Sequence, residues 1–221
     1  MAETELIIFD CDGVLVDSEP LANAVFAEYL NAHGLDMPLE EVMERFIGLS
    51  LKTCAEIALR DYRVRLPDDF IPELRRLTEI ALAGKVRGLP NVRSAVERMG
   101  LPVCVASSGE HSKMTLTLTT SGLIDLFEGR LHSATEVENG KPAPDLFLYA
   151  AGKMGFDPAQ CVVVEDSPYG VQGAVAAGMR AIGFCGGGHR DLMRDSPMLV
   201  QAGAEIVIDD MARLPDVVTL R

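Results

Sequence analysis

The chain has 221 residues, 48 % of them hydrophobic and only 5 % aromatic, with no Trp. That length can bury a substantial core without disulfides or structural metal, and no apolar run approaches the ~18 residues of a membrane span. Acidic residues outnumber basic ones by 33 to 20, a formal net charge of −13, which argues against a nucleic-acid partner because such binding rests on a clustered basic surface.

The start, Met1-Ala2-Glu3-Thr4-Glu5, is acidic where a signal peptide would be basic, so a cytoplasmic location is expected. The cysteines Cys11, Cys54, Cys104, Cys161 and Cys185 form no C-x-x-C pair, and such a scattered set fits reduced thiols rather than a disulfide framework. Leu6-Ile7-Ile8-Phe9 opens a series of short β-branched runs that continues at Pro102 to Ala106, Cys161 to Val164, Ala181 to Phe184 and Ile206 to Ile208. These runs are continuous rather than alternating, as strands buried on both faces of a parallel sheet are. Helical periods separate them, most clearly after Ser167-Pro168, where Ser167 suits an N-cap, Pro168 the first helical position and Gly178 the stop. Strand–helix alternation predicts an α/β fold with a Rossmann-like parallel sheet core. Between Ser18 and Lys85 no strand pattern occurs, only helical periods such as Ala24 to Leu30 and Leu74 to Leu82. The expected organisation is a core of 1–17 and 86–221 with a small α-helical domain, 18–85, inserted after the first strand.

Four stretches carry chemistry. Asp10-Cys11-Asp12-Gly13 follows the first strand, and ligands of open α/β sheets bind beyond the carboxyl ends of strands. Two carboxylates so close repel when both are ionised; a cation or a shared proton would relieve this, although Asp-Gly also serves in plain turns. Ser107-Ser108-Gly109 follows a second strand, where a hydroxyl and backbone N–H groups at a helix start can hold an anion or simply cap the helix. Lys141 is held between Gly140 and Pro142, in a setting stiff enough to fix an ammonium beside a phosphoryl group. Glu165-Asp166 follows the strand-like run ending at Val164, and carboxylates from two strand ends suit magnesium better than zinc, because no His lies near either pair in sequence.

In their order and spacing these four stretches closely resemble the motifs of the haloacid dehalogenase superfamily, over nearly the whole chain from Leu6 to about Ile208. The helical insert resembles that family's cap, and Asp12-Gly-Val-Leu-Val-Asp-Ser-Glu19 with Gly140-Lys-Pro-Ala-Pro-Asp145 is similar to its β-phosphoglucomutase-like phosphatase branch. The resemblance implies that Asp10 is the nucleophile forming an aspartyl-phosphate and that Asp12 is the general acid and base. It implies that Ser107, with Ser108 and Gly109, holds phosphoryl oxygens and that Lys141 balances charge. Asp10, the Asp12 backbone carbonyl and Asp166 would bind Mg2+, with Glu165 a ligand or a neighbour supporting one. Ser50 and Lys52, in the turn after Gly48, are candidate substrate selectors in a cap that closes over the site. Dehalogenation is disfavoured because a halide needs no proton whereas an alkoxide does, and Asp12 can supply it.

The expected function is therefore a magnesium-dependent phosphatase of small phosphate esters, sugar phosphates or phosphorylated sugar acids. No nucleic-acid or membrane partner is expected, and a monomer is anticipated with a dimer left open. A sugar-phosphate mutase is the alternative, but its second-phosphate arginine and lysine positions fall on Leu51 and Glu110. A phosphonatase-type hydrolase would require Lys52 to be buried for a Schiff base. The Cys185-Gly-Gly-Gly-His189 run reads as a flexible connection.

Overall fold

In the computed structural model, which describes residues 3–46 and 51–219, the chain divides into two compact units, Met1–Ser18 with Val86–Arg221 and, separately, Glu19–Lys85. The first unit is built on strands β1 (Leu6–Phe9), β2 (Val103–Ser107), β3 (Leu131–Ser133), β4 (Cys161–Glu165), β5 (Arg180–Phe184) and β6 (Ile206–Ile208). All pair in parallel, in the order β3-β2-β1-β4-β5-β6. Every residue of β1, β2 and β4 is buried, which explains their unbroken apolar runs: helices cover both faces of a parallel sheet, so neither face selects polar side chains.

β3 carries no apolar-run signal in the sequence. It is three residues long and lies at the sheet edge, pairing Leu131 with Val105 and Ser133 with Ser107, while His132 meets the Tyr149 ring of the segment 145–154 edge-on at 5.7 Å.

The second unit contains helices α1 (Glu19–Ala32), α2 (Leu39–Phe46), α3 (Leu51–Tyr62) and α4 (Phe70–Leu82). Leu30, Val42, Phe46, Ala58, Phe70 and Leu74 are buried together. Phe26 meets Phe46 edge-on at 5.8 Å and Tyr29 lies 5.4 Å from Phe70, so this unit has an apolar centre of its own. Ser50 lies outside the described residues.

The sheet unit is completed by α5 (Val92–Met99), α6 (His111–Thr120), α7 (Asp145–Met154), α8 (Pro168–Ala176), α9 (Leu192–Ala202) and α10 (Leu214–Val218). Ser167 caps α8, its Oγ accepting the Gly170 N–H at 3.0 Å. All five cysteines are free and buried. Among the described residues no helix is long and apolar enough to cross a membrane.

Strand order fixes where a site can form. The chain runs from β1 outward through β2 to β3, then returns to β4 on the other side of β1. The order reverses between β1 and β4, and there the loops leaving the carboxyl ends diverge and open a crevice. Phe9 lies opposite both Val105 and Val164, so the segments that follow these strands emerge at one level.

Candidate active site

Asp10 leaves β1 at the reversal point, its backbone N–H donating to the Val164 carbonyl of β4 at 3.0 Å. Glu165 is the last residue of β4 and Asp166 the next. All three side chains are buried. Lys141, approaching from the segment before α7, donates from Nζ to Asp10 Oδ1 and to Glu165 Oε1, both at 2.5 Å, with its own side chain only 6 % exposed. The ammonium also lies 5.3 Å from the Phe147 ring centroid. Burial alone would pull this lysine down, but the charges of Asp10 and Glu165 outweigh it and hold the ammonium above its usual range. Burial pushes the Asp10 carboxyl well above the carboxylate range; Lys141 opposes this, whereas Glu165 and Asp166 add to it.

Glu165 is fully committed. Oε1 accepts from Lys141, and Oε2 accepts from the Ser167 N–H at 2.8 Å and the Ser167 hydroxyl at 2.9 Å. Asp12 is held from two sides: Ser18 Oγ donates to Oδ1, and Lys113 Nζ of α6 donates to Oδ2 at 2.9 Å. Ser107 ends β2 with 2 % exposure, and its Oγ accepts the Gly109 N–H at 3.1 Å. Ser133 of β3 donates to the Gly109 carbonyl at 2.7 Å and so fixes the loop that starts α6. Ser108 in that loop is exposed, and Lys52 is exposed on α3. Cys11, between the two aspartates, is buried, with Sγ 3.9 Å from Thr117 Oγ1; burial and the flanking carboxylates push its thiol well up, which fits packing and not nucleophilic duty.

Asp166 has partners that the sequence pattern does not announce. His189 Nε2 and Arg190 Nε reach its Oδ2 at 2.9 and 3.1 Å from the loop after β5. Burial pushes the Asp166 carboxyl up, but the His189 hydrogen bond and the Arg190 charge more than offset it and hold it below the usual range. Glycine is required at 13 for this arrangement: φ is +78°, and a Cβ there would lie 2.5 Å from Asp166 Oδ2 and 2.8 Å from His189 Cε1. The run of three glycines before His189 reads as a connection, and the contact spans 23 residues of sequence, so no local period reveals it.

The donor set fits a hard cation. Glu165 and Asp166 each raise the cost of ionising Asp10, a crowding that a divalent ion relieves. Among the described residues no three His, Cys, Asp or Glu side chains gather at metal-ligand spacing, and with Glu165 accepting three hydrogen bonds the groups that could hold a cation are the Asp10 and Asp166 carboxylates and backbone oxygen. Such a sparse, all-oxygen set, completed by water and substrate phosphate, is the magnesium pattern.

Residues 4–178 match the family model described as haloacid dehalogenase-like hydrolase. Over 194 residues, 86 % of each chain, the protein is 30 % identical to the 6-phosphogluconate phosphatase of Escherichia coli. A conserved haloacid dehalogenase-like protein of unknown function from Agrobacterium tumefaciens superposes with a TM-score of 0.88 at 37 % identity, covering 97 % of both chains. A family hydrolase of Deinococcus radiodurans, solved with bound phosphate and sodium, gives 0.81 at 28 % identity over 97 % of this chain and 94 % of its own.

Proposed function

Because the chain belongs to the haloacid dehalogenase-like hydrolases, we propose that it is a magnesium-dependent phosphatase acting on sugar phosphates or phosphorylated sugar acids. The observation that carries this reading is the Lys141 ammonium bridging Asp10 and Glu165 at 2.5 Å each, beyond the reversal point of the sheet. A permanently charged lysine against a buried carboxylate is what attack on an anionic phosphorus centre requires.

In this reading an Asp10 oxygen attacks phosphorus. The bond from phosphorus to the ester oxygen breaks, its electron pair leaves with that oxygen, and Asp12 delivers the proton that makes an alcohol. Asp12 then takes a proton from water as the water attacks the aspartyl-phosphate, releasing phosphate and regenerating the Asp10 carboxylate. Splitting the reaction in this way replaces one difficult displacement by two easier ones. Ser107 and the amides at the start of α6 hold the phosphoryl oxygens, while Ser18 and Lys113 keep Asp12 aimed. Asp10, Asp166 and the Asp12 carbonyl would hold the magnesium, and Glu165 serves as the anchor of Lys141. A magnesium ion bound there supplies positive charge against the phosphoryl oxygens.

The substrate class draws on the similarity to 6-phosphogluconate phosphatase. Phosphonatase-type chemistry is disfavoured, because a Schiff-base lysine must be desolvated and Lys52 is exposed.

The test is a phosphate-release screen over sugar phosphates, sugar-acid phosphates, polyol phosphates and nucleotides, with magnesium and with chelator. Asp10→Asn should lower turnover by on the order of a thousandfold or more, and chelation should do the same. Phosphate release unaffected by the substitution would remove Asp10 from the nucleophile role. Isomerisation of a sugar phosphate without net release of phosphate would replace the phosphatase by a mutase.

A further inference from the structure

The loop between β5 and α9 carries a buried imidazole. Its imidazole, His189, is 7 % exposed and lies against Gly13 and Gly187: a Cβ at 13 would fall 2.8 Å from Cε1, and one at 187 would fall 3.1 Å from Cε1 and Nδ1. The loop is tied down by the Gly188 N–H donating to Asp17 Oδ1 at 2.9 Å, by the Arg190 N–H donating to the Gly187 carbonyl at 2.9 Å, and by Arg194 Nη2 donating to the His189 carbonyl at 3.3 Å. Nδ1 of His189 is buried and, among the described residues, has no hydrogen-bond partner. Burying half of an imidazole unsatisfied costs free energy, and the contact that offsets it among the described residues is Nε2 to Asp166 Oδ2 at 2.9 Å.

Both donors, His189 Nε2 and Arg190 Nε, converge on the same oxygen of Asp166, Oδ2. That leaves Oδ1 for a cation and fixes the plane of the carboxylate. Resting on the magnesium reading above, we propose that His189 and Arg190 are positioning residues that orient Asp166 and thereby set the affinity of the site for its divalent cation. Neither touches the phosphoryl group in this scheme. They act through Asp166, as carboxylate ligands generally depend on the groups that hydrogen-bond their other oxygen. The alternative is that Arg190 merely offsets the charge of Asp166, and it predicts the opposite sign: removing a competing cation would tighten metal binding.

Mn2+ binding to the full chain, followed by electron paramagnetic resonance, separates the two. His189→Phe keeps a flat ring between Gly13 and Gly187 without a donor, and Arg190→Gln removes the charge at a side chain that is partly exposed. Each should weaken Mn2+ binding by about 10–100-fold, and the concentration of Mg2+ needed for half-maximal activity should rise in step, with turnover recovering at saturating Mg2+. His189→Gln, whose amide reaches where Nε2 does, should retain most of the wild-type affinity. Affinity unchanged or tighter in Arg190→Gln overturns the proposal, and that arm remains readable if the His189→Phe protein does not fold. Wild-type protein that binds no Mn2+ would instead overturn the magnesium reading, and this inference with it.

Discussion

Gly170 shows how closely single residues are specified around the crevice. A Cβ at this position, in the first turn of α8, would lie 1.9 Å from Glu165 Oε1 and 2.5 Å from Oε2. Both the helix backbone and the buried carboxylate are held by hydrogen bonds, so Gly170→Ala must push Glu165 off Lys141 or bend the helix start. A loss of about 1–3 kcal/mol in stability is expected from overpacking of this kind, read from the urea midpoint, together with a fall in turnover. A variant as stable and active as the wild type would show that Glu165 has room to move. Asp10, Ser107, Lys141 and Glu165 were each ambiguous in the sequence, and only the resemblance of their order and spacing to the haloacid dehalogenase motifs joined them; the structure brings Lys141 onto Asp10 and Glu165 because a parallel sheet gathers strand ends on one edge. His189 and Arg190 were not legible. Their contact with Asp166 depends on a glycine run folding back past Gly13, and glycine runs are also what ordinary connections contain.

The same division holds for whole elements. β1, β2, β4, β5 and β6 could be read from their apolar runs, because a strand packed within a parallel sheet keeps polar residues to its ends, as with Ser107, Glu165 and Arg180. β3 could not, because three residues at an edge are ordered by their neighbour rather than by their own composition. Helix α8 was legible through its punctuation: Ser167 before it, Pro168 opening it and Gly178 after it, at φ +75°. Its cap does more than end a helix. The Ser167 hydroxyl accepts the Gly170 N–H at 3.0 Å and donates to Glu165 Oε2 at 2.9 Å, so one side chain joins helix start to site. Ser167→Ala should cost about 1 kcal/mol through the lost cap, seen as a lower denaturation midpoint, and should reduce turnover because Glu165 loses a donor. A midpoint shift with wild-type turnover would separate the cap from the chemistry.

For the whole molecule, the helical segment leaves and rejoins the sheet unit through adjacent strands of chain. Val16 pairs with Gly88 in an antiparallel bridge, the Asp17 N–H donates to the Arg87 carbonyl at 2.9 Å, and the Leu89 N–H donates to the Leu15 carbonyl at 2.9 Å. With the two ends held side by side, replacing 19–85 by a short Gly-Ser linker closes a small loop at little entropic cost. The sheet unit alone should then fold cooperatively, with a single urea transition and a slope reduced in line with the smaller buried surface. A broad, non-cooperative transition would show that the sheet depends on the helical segment. Asp10, Asp12, Ser107, Lys141, Glu165 and Asp166 all belong to the sheet unit, so the excision leaves every one of them in place while removing Lys52.

The buried thiols have a consequence of another kind. Cys54 sits in the helical unit, and the other four lie at the turn after β1, in β2 and β4, and just past β5. Burial raises the thiols of Cys54, Cys161 and Cys185 to about 11 and that of Cys104 to about 12, so each is both sealed away and held in its unreactive protonated form. An alkylating reagent can reach them only through transient opening of the chain. The five sulfurs therefore form a built-in set of clocks, one timing the fluctuations of the helices and four timing those of the sheet, without any label having to be engineered.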